Sequence, residues 1–200
     1  MMDSVHSDIV LREISKSFGD RQVLRHLDYT FPADRITCVQ GPSGQGKTTL
    51  LKIIAGLEKP DAGSISGVPE KVAFVFQEDR LCEDFSAVAN IRLVCGKRLT
   101  RDQIEDHLRQ VGLSAQMYQP VREFSGGMKR RVAVARAVCF GADLLLMDEP
   151  FKGLDGPLRR QVMDYVTRNT SGKTVICVTH EDAEAAYFAS QVLNLSSVFG

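Results

Sequence analysis

Residues 41–48 read Gly-Pro-Ser-Gly-Gln-Gly-Lys-Thr, which fits the spacing G-x-x-x-x-G-K-[ST]. Glycines at that spacing let successive backbone N–H groups curl around an anion. The stretch sits between a short apolar segment and a helical pattern, the context such a phosphate loop requires. A helix starting there adds unpaired N–H groups and partial positive charge. Lys47 supplies a point charge for β- and γ-phosphates, and Thr48 a hydroxyl for Mg²⁺. The chemistry expected is nucleoside triphosphate binding by Gly41, Pro42, Ser43, Gly44, Gln45, Gly46, Lys47, Thr48 and Thr49. The bland alternative is a glycine-rich turn with a surface lysine.

A second group lies about 100 residues on, in Leu144-Leu-Leu-Met-Asp148-Glu149-Pro150. Asp148 ends an apolar run and can hold Mg²⁺, directly or through water. Glu149, one residue later, can polarise an attacking water. Paired acids after a strand also serve as helix or turn caps. His180 follows another apolar run, and it can equally cap the helix after it. Gln77 follows a third. Open α/β sheets gather ligands at the carboxyl ends of their strands, so these residues are expected at one edge.

Those edges need strands and helices to carry them. Ile9–Ile14 and Val23–Phe31 read as strands of an N-terminal antiparallel region. Ile36–Gln40 and Leu144–Met147 read as apolar strands, Val72–Phe76 and Thr174–Val178 as buried ones, and Val192–Leu195 as a last strand. Helical patterns cover Thr48–Leu57, Val88–Val94, Ile104–Val111, Met128–Phe140, a segment opened by Pro157, and Asp182–Ala189. Thr100-x-x-Gln103 is a capping-box pattern before the third of these. Continuous apolar strands alternating with helices predict an α/β fold with a mostly parallel sheet covered on both faces. The expected division is an α/β core over 1–79 and 141–200 with an inserted helical subdomain over 80–140, all one domain spanning 1–200.

The totals narrow the class. The 200 residues are 44% hydrophobic and 25% charged, with 25 acidic and 25 basic side chains. That is ordinary for a soluble globular protein, and it gives no global electrostatic case for nucleic acid. No apolar run reaches the length of a membrane span. The N-terminus lacks the basic start and apolar stretch of a secretory signal. Five dispersed cysteines without a C-x-x-C pair read as reduced thiols.

Phe124-Ser-Gly-Gly-Met-Lys-Arg-Arg131 opens a helical pattern with two glycines, which lowers helix propensity. Close approach of something to that backbone would justify them; Ser125 as an ordinary helix cap is the simpler companion reading. In this order the motifs resemble the ATP-binding subunits of ABC transporters over nearly the whole chain. GPSGQGKTT resembles Walker A, Gln77 the Q-loop and FSGGM the signature. LLLMDEP resembles Walker B, Gly153-Leu-Asp155 the D-loop, and His180 the switch histidine.

The resemblance implies a P-loop ATPase that hydrolyses ATP with Mg²⁺ held by Thr48, Gln77 and Asp148, and with Glu149, His180 and Gln77 catalytic. Phe18 would stack on adenine. Two copies, or a paralogous pair, would join head to tail. Ser125, Gly126, Gly127 and Asp155 of one would then meet the nucleotide of the other. Phe124 and Met128 replace the usual Leu and Gln of the signature. Glu78-Asp79-Arg80-Leu81 is similar to the importer group for nitrate, sulfonate and taurine, while Cys82-Glu-Asp-Phe85 departs from it.

The function expected is therefore the ATPase subunit of an ABC importer, peripheral on the cytoplasmic face of the cell membrane. A transmembrane permease subunit would contact Arg80, Leu81 and Phe85, unless both apolar residues pack in the helical core. No nucleic-acid partner and no C-terminal regulatory domain are expected. The alternatives are an exporter subunit and a soluble, non-transport ABC ATPase. The roughly 47 residues between Gln77 and Ser125 leave no room for the coiled coil of DNA-repair relatives.

Overall fold

The computed structural model describes residues 7–197, and the chain forms two compact units. The first runs to Phe74 and takes in Asp143–Asp148 and the chain from Gly172; the second holds Val75–Ala142 and Glu149–Ser171. Most of the N-terminal stretch read for a secretory signal, residues 1–6, lies outside the described residues.

The first unit carries β1 (Ile9–Phe18), β2 (Arg21–Phe31), β3 (Ile36–Gln40), α1 (Lys47–Ile54) and β4 (Ala62–Ser66). It continues with β5 (Val72–Val75), within which the unit boundary falls, then β6 (Leu144–Asp148), β7 (Thr174–Val178), α6 (Asp182–Phe188) and β8 (Gln191–Asn194). β2, β1 and β4 form an antiparallel sheet in that order. The other strands form a five-stranded sheet, β5-β6-β7-β3-β8, with parallel register at β6–β7, β7–β3 and β3–β8. Every residue of β6 and β7 is buried, as strands covered on both faces must be. Leu50, Leu51, Ile53 and Ile54 of α1 join Ile9, Leu11, Leu27 and Phe31 of the antiparallel sheet and Val39, Leu146 and Ile176 of the parallel one in a single core.

Three departures from the expected elements have local causes. β1 runs on to Phe18 rather than stopping at Ile14, because bulges absorb the broken alternation: Glu13 and His26 take positive φ of 52° and 41°. β4 was not expected at all. Its sequence AGSIS has no apolar alternation; it pairs to β1 through the backbone ladder, with Ile65 alone of its side chains packed against the core. A Cβ on Gly63 would lie 2.4 Å from the Arg12 carbonyl oxygen, so only glycine fits that approach. α1 ends at Ile54 rather than Leu57, where left-handed Gly56 donates back to the Ile53 carbonyl.

The second unit is helical: α2 (Ala87–Cys95), α3 (Arg101–Gln110), α4 (Gly126–Phe140) and α5 (Gly156–Asn169), with a 3₁₀ turn at Val121–Glu123. Ser86, Thr100, Ser125 and Asp155 cap the four helices through their side chains, and Thr100 with Gln103 completes the expected capping box. α4 is the hub of this unit. It packs against α2, α3 and α5 and buries nine residues, Arg130 and Arg131 among them.

Candidate nucleotide site

In the first unit, β3 feeds the loop Gly41–Gly46 directly into α1. Gly41, Gly44 and Gly46 take φ of 145°, 79° and 82°. Gly46 caps α1 without any side-chain bond; a Cβ there would stand 2.6 Å from the Val23 carbonyl oxygen. That bare turn leaves the first helical N–H groups without a side-chain cap, as an anion cradle requires. Lys47 is buried, and its ammonium donates to the carbonyls of Gly41 and Pro42, both at 2.7 Å. Arg21, across the hairpin from Phe18, donates at 2.8 Å to the Gly44 carbonyl and braces the loop from outside. Ser196 Oγ and Gln45 Oε1 lie 3.1 Å apart.

The parallel register brings Asp148 to this loop. Val178 of β7 stands level with Val39 on one side and Asp148 on the other. Across that strand, Thr48 Oγ1 donates to Asp148 Oδ2 at 2.7 Å. A hydroxyl and a carboxylate at the end of a buried strand are hard oxygen donors, the set that suits Mg²⁺ bound jointly with phosphates and water. They fit the ion. Among the described residues there is no group of three or more His, Cys, Asp or Glu for a protein-only metal cage.

His180 is exposed, two residues past β7. It does not cap α6: Glu181 holds the cap position without a side-chain bond. The local turn is organised by buried Thr179, whose hydroxyl donates to Glu184 and accepts from the Glu181 N–H. Phe18 ends β1 half exposed, with the Lys16 ammonium 5.2 Å from its ring centroid. Lys16 itself is anchored by Glu58 at 2.8 Å and Asp61 at 3.2 Å, which raise its pKa.

The second unit carries Gln77, Glu149, Ser125, Gly126, Gly127 and Asp155. Glu149 sits in the left-handed region at φ 48°, and Lys152 pairs with its carboxylate at 2.9 Å. A left-handed non-glycine residue costs backbone energy, and such strain gathers where a side chain must be aimed. Ser125 Oγ accepts from the Met128 N–H at 3.3 Å, and Asp155 Oδ1 from the Leu158 N–H at 3.0 Å. Both therefore act as helix caps. Phe124 is buried, so the larger ring in place of leucine is absorbed by the core.

α4 also brings arginines that the sequence reading passed over. Arg130 is buried and donates to the carbonyls of Phe76, Gln77, Glu149 and Pro150 and to Asp79. Arg131 points elsewhere, at 2.8 Å from the Val111 and Gly112 carbonyls that end α3; burial lowers its pKa. Arg136 donates to the Asp79 and Arg80 carbonyls. The available signal was three arginines beside Lys129 in a helix with no acidic residue, in a run that reads equally well as a solvated face.

The segment after Gln77 is bound from below by Asn90, wholly buried on α2. Its amide donates to the carbonyls of Cys82, Phe85 and Ser86 and accepts from the Cys82 N–H. Leu81 is half-buried, whereas Phe85 is 46% exposed, which contradicts the reading that both pack inside the helical core. Arg80 lies over the Phe76 ring at 3.7 Å. Of the five cysteines only Cys82 is exposed; burial pushes the Cys139 thiol up to about 12 and holds Cys177 well above its ordinary value.

A glycine cradle on one parallel strand, a hydroxyl–carboxylate pair closing the next but one, and a helical unit headed by Ser-Gly-Gly define a nucleotide-binding α/β protein. Residues 24–152 match the family model described as ABC transporter. The chain belongs to the ABC transporter family and is an ABC-type ATPase. It is 39% identical over 196 residues to the aliphatic sulfonates import ATP-binding protein SsuB of Rhodopseudomonas palustris (strain BisA53), covering 92% of this chain and 69% of that one. The aliphatic sulfonates import ATP-binding protein SsuB 3 of Rhodococcus jostii (strain RHA1) is 39% identical over 193 residues, 94% of this chain and 71% of that one. The sulfate/thiosulfate import ATP-binding protein CysA of Anthoceros angustus is 36% identical over 206 residues, 94% of this chain and 54% of that one. No helix among the described residues is long and apolar enough to cross a membrane.

Proposed function

We propose that this protein is the ATP-hydrolysing subunit of an importer, working as a head-to-tail pair against a transmembrane permease at the cytoplasmic face of the membrane. The relatives named for import support the importer reading. In this reading the N–H groups of 41–48 and the Lys47 ammonium grip the phosphates, and Phe18 offers its exposed ring to adenine. Thr48, Asp148 and Gln77 would hold Mg²⁺, which when bound would neutralise phosphate charge. Glu149 accepts a proton from the attacking water, and His180 orients the γ-phosphate. Residues 80–140 form the helical subdomain of the ATPase.

The observation that carries the paired arrangement is Gly126. It has no left-handed φ, and a Cβ built on it meets nothing within 4 Å. Its own chain gives no reason for a glycine there, although glycine weakens a helix. A phosphate delivered by a second copy supplies the reason, because Ser125, Gly126 and Gly127 then present bare N–H groups at the start of a fifteen-residue helix. Cysteines placed at Ser125 and Ser43 test it. With ATP they are expected to crosslink between two copies; crosslinks within one chain only would overturn the reading.

A further inference from the structure

Arg130 makes a concentrated set of polar contacts to the backbones of Gln77 and Glu149, and no step above uses it. It stands on the second turn of α4, five residues after Ser125, and is 4% exposed. One edge of its guanidinium meets the segment after β5: Nη1 donates to the Phe76 carbonyl at 2.5 Å, to the Gln77 carbonyl at 3.4 Å and to Asp79 Oδ1 at 3.2 Å. The other edge meets the segment after β6: Nη2 donates to the Glu149 carbonyl at 2.7 Å and Nε to the Pro150 carbonyl at 3.2 Å. All of these residues belong to the second compact unit.

We propose that Arg130 is a positioning residue that clamps the backbones of Gln77 and Glu149 together and to the signature helix. This rests on the reading of Gln77 as a residue that holds Mg²⁺ and of Glu149 as the base for the attacking water.

The physics favours a clamp over a filler. A buried guanidinium is costly unless its fork is satisfied on both edges, and a planar fork is the side chain that can bond two separate segments at once. A lysine ammonium is a single point and holds one segment or the other. One of the two carbonyls belongs to Glu149, whose left-handed φ of 48° is sustained only while its surroundings over-determine it. A displaced Gln77 backbone would therefore drag the carbonyl of Glu149 through one rigid plane. The start of α4 lies one turn away on the same helix, so occupancy of the Ser125 end would bias the same clamp.

The test uses the full chain with Arg130→Lys and Arg130→Met. Measured are equilibrium MgATP binding with a fluorescent nucleotide, kcat and KM, thermal unfolding, and hydrogen exchange over residues 76–80 and 149–152. The clamp predicts near-normal binding and KM with kcat reduced on the order of 10- to 100-fold, since misplacement by about 1 Å costs that much. It also predicts faster exchange in both segments together, with Arg130→Lys recovering protection in only one. A turnover unchanged in Arg130→Met overturns the proposal. So does faster exchange spread over α2, α3 and α5 with a matching fall in melting temperature, which marks a packing role. Glu149→Gln is run beside them. Normal turnover in that variant removes the base reading alone, while paired exchange still decides the clamp.

Discussion

Thr48 and Asp148 are one hundred positions apart in the chain and 2.7 Å apart in the molecule, hydroxyl to carboxylate across the end of β7. The pair joins the helix that starts at the phosphate loop to the strand that ends in the acid. Replacing Asp148 by Asn keeps the shape and removes the charge. Mg²⁺-dependent ATP turnover is expected to fall on the order of 10²-fold or more, as for loss of one preorganised charge-stabilising group. Thr48→Ser keeps the oxygen and is expected to retain most activity. Steady-state phosphate release measured against Mg²⁺ concentration checks both.

Glu149→Gln preserves size and removes the proton acceptor. Turnover is expected to drop on the order of 10²–10⁴-fold, the usual worth of a general base, with MgATP binding kept. The variant should accumulate as an ATP-bound pair on size-exclusion chromatography. Lys152→Ala separates the competing role of the 2.9 Å ion pair. If Lys152 holds the carboxylate back, that variant is expected to hydrolyse faster than the parent.

Gly126→Ala distinguishes a requirement of the chain from a requirement of its partner. Open space surrounds the added methyl, so stability should change by less than about 1 kcal/mol, in the favourable direction if at all. ATP-driven pairing and hydrolysis should nevertheless collapse. A variant that is both stable and fully active would leave the glycine unexplained by pairing.

Phe85→Ala bears on the permease contact. Truncating a core aromatic costs about 3–5 kcal/mol. At 46% exposed, Phe85 should cost well below that, and for a chain of this size each 1 kcal/mol moves Tm by roughly 2–4 °C. The expected result is a small Tm shift with loss of the substrate-stimulated part of ATPase activity in the assembled transporter. The isolated subunit's own turnover serves as the reference. Asn90, which holds the 82–86 backbone, should show the opposite balance, with Asn90→Ala losing stability first.

His107 gives a pH dependence. Burial lowers its pKa from 6.5, only partly offset by Asp106, and its ring lies 3.0 Å from the buried Tyr165 hydroxyl. Below pH 6.5 the unfolded chain binds a proton that the folded one resists, so stability falls as pH drops from 6.5 toward the folded pKa. Above 6.5 the group contributes no slope. Thermal melts from pH 7.5 to 5 are expected to show that decline, and His107→Gln to flatten it.

Much was legible before any fold. Strand β3 and strand β7 fall where short runs rich in β-branched residues place them, because strands buried on both faces carry near-continuous apolar sequence. The phosphate loop was legible because its glycines and Lys47 are demanded by chemistry at fixed spacing. β4 was not, since its pairing to β1 uses backbone groups that every residue has. Arg130 was not, because a basic residue after a helix start has the same letter whether it faces water or five acceptors on two other segments. The sequence by itself determined the chemistry available, namely a phosphate loop, an acid pair and a glycine-headed helix. Only the tertiary structure decided that Asp148 meets Thr48, that Phe85 is exposed while Phe124 is buried, and that a guanidinium ties Gln77 to Glu149. Side-chain type is written locally, but burial and hydrogen-bond partners are set by contacts between segments dozens of residues apart.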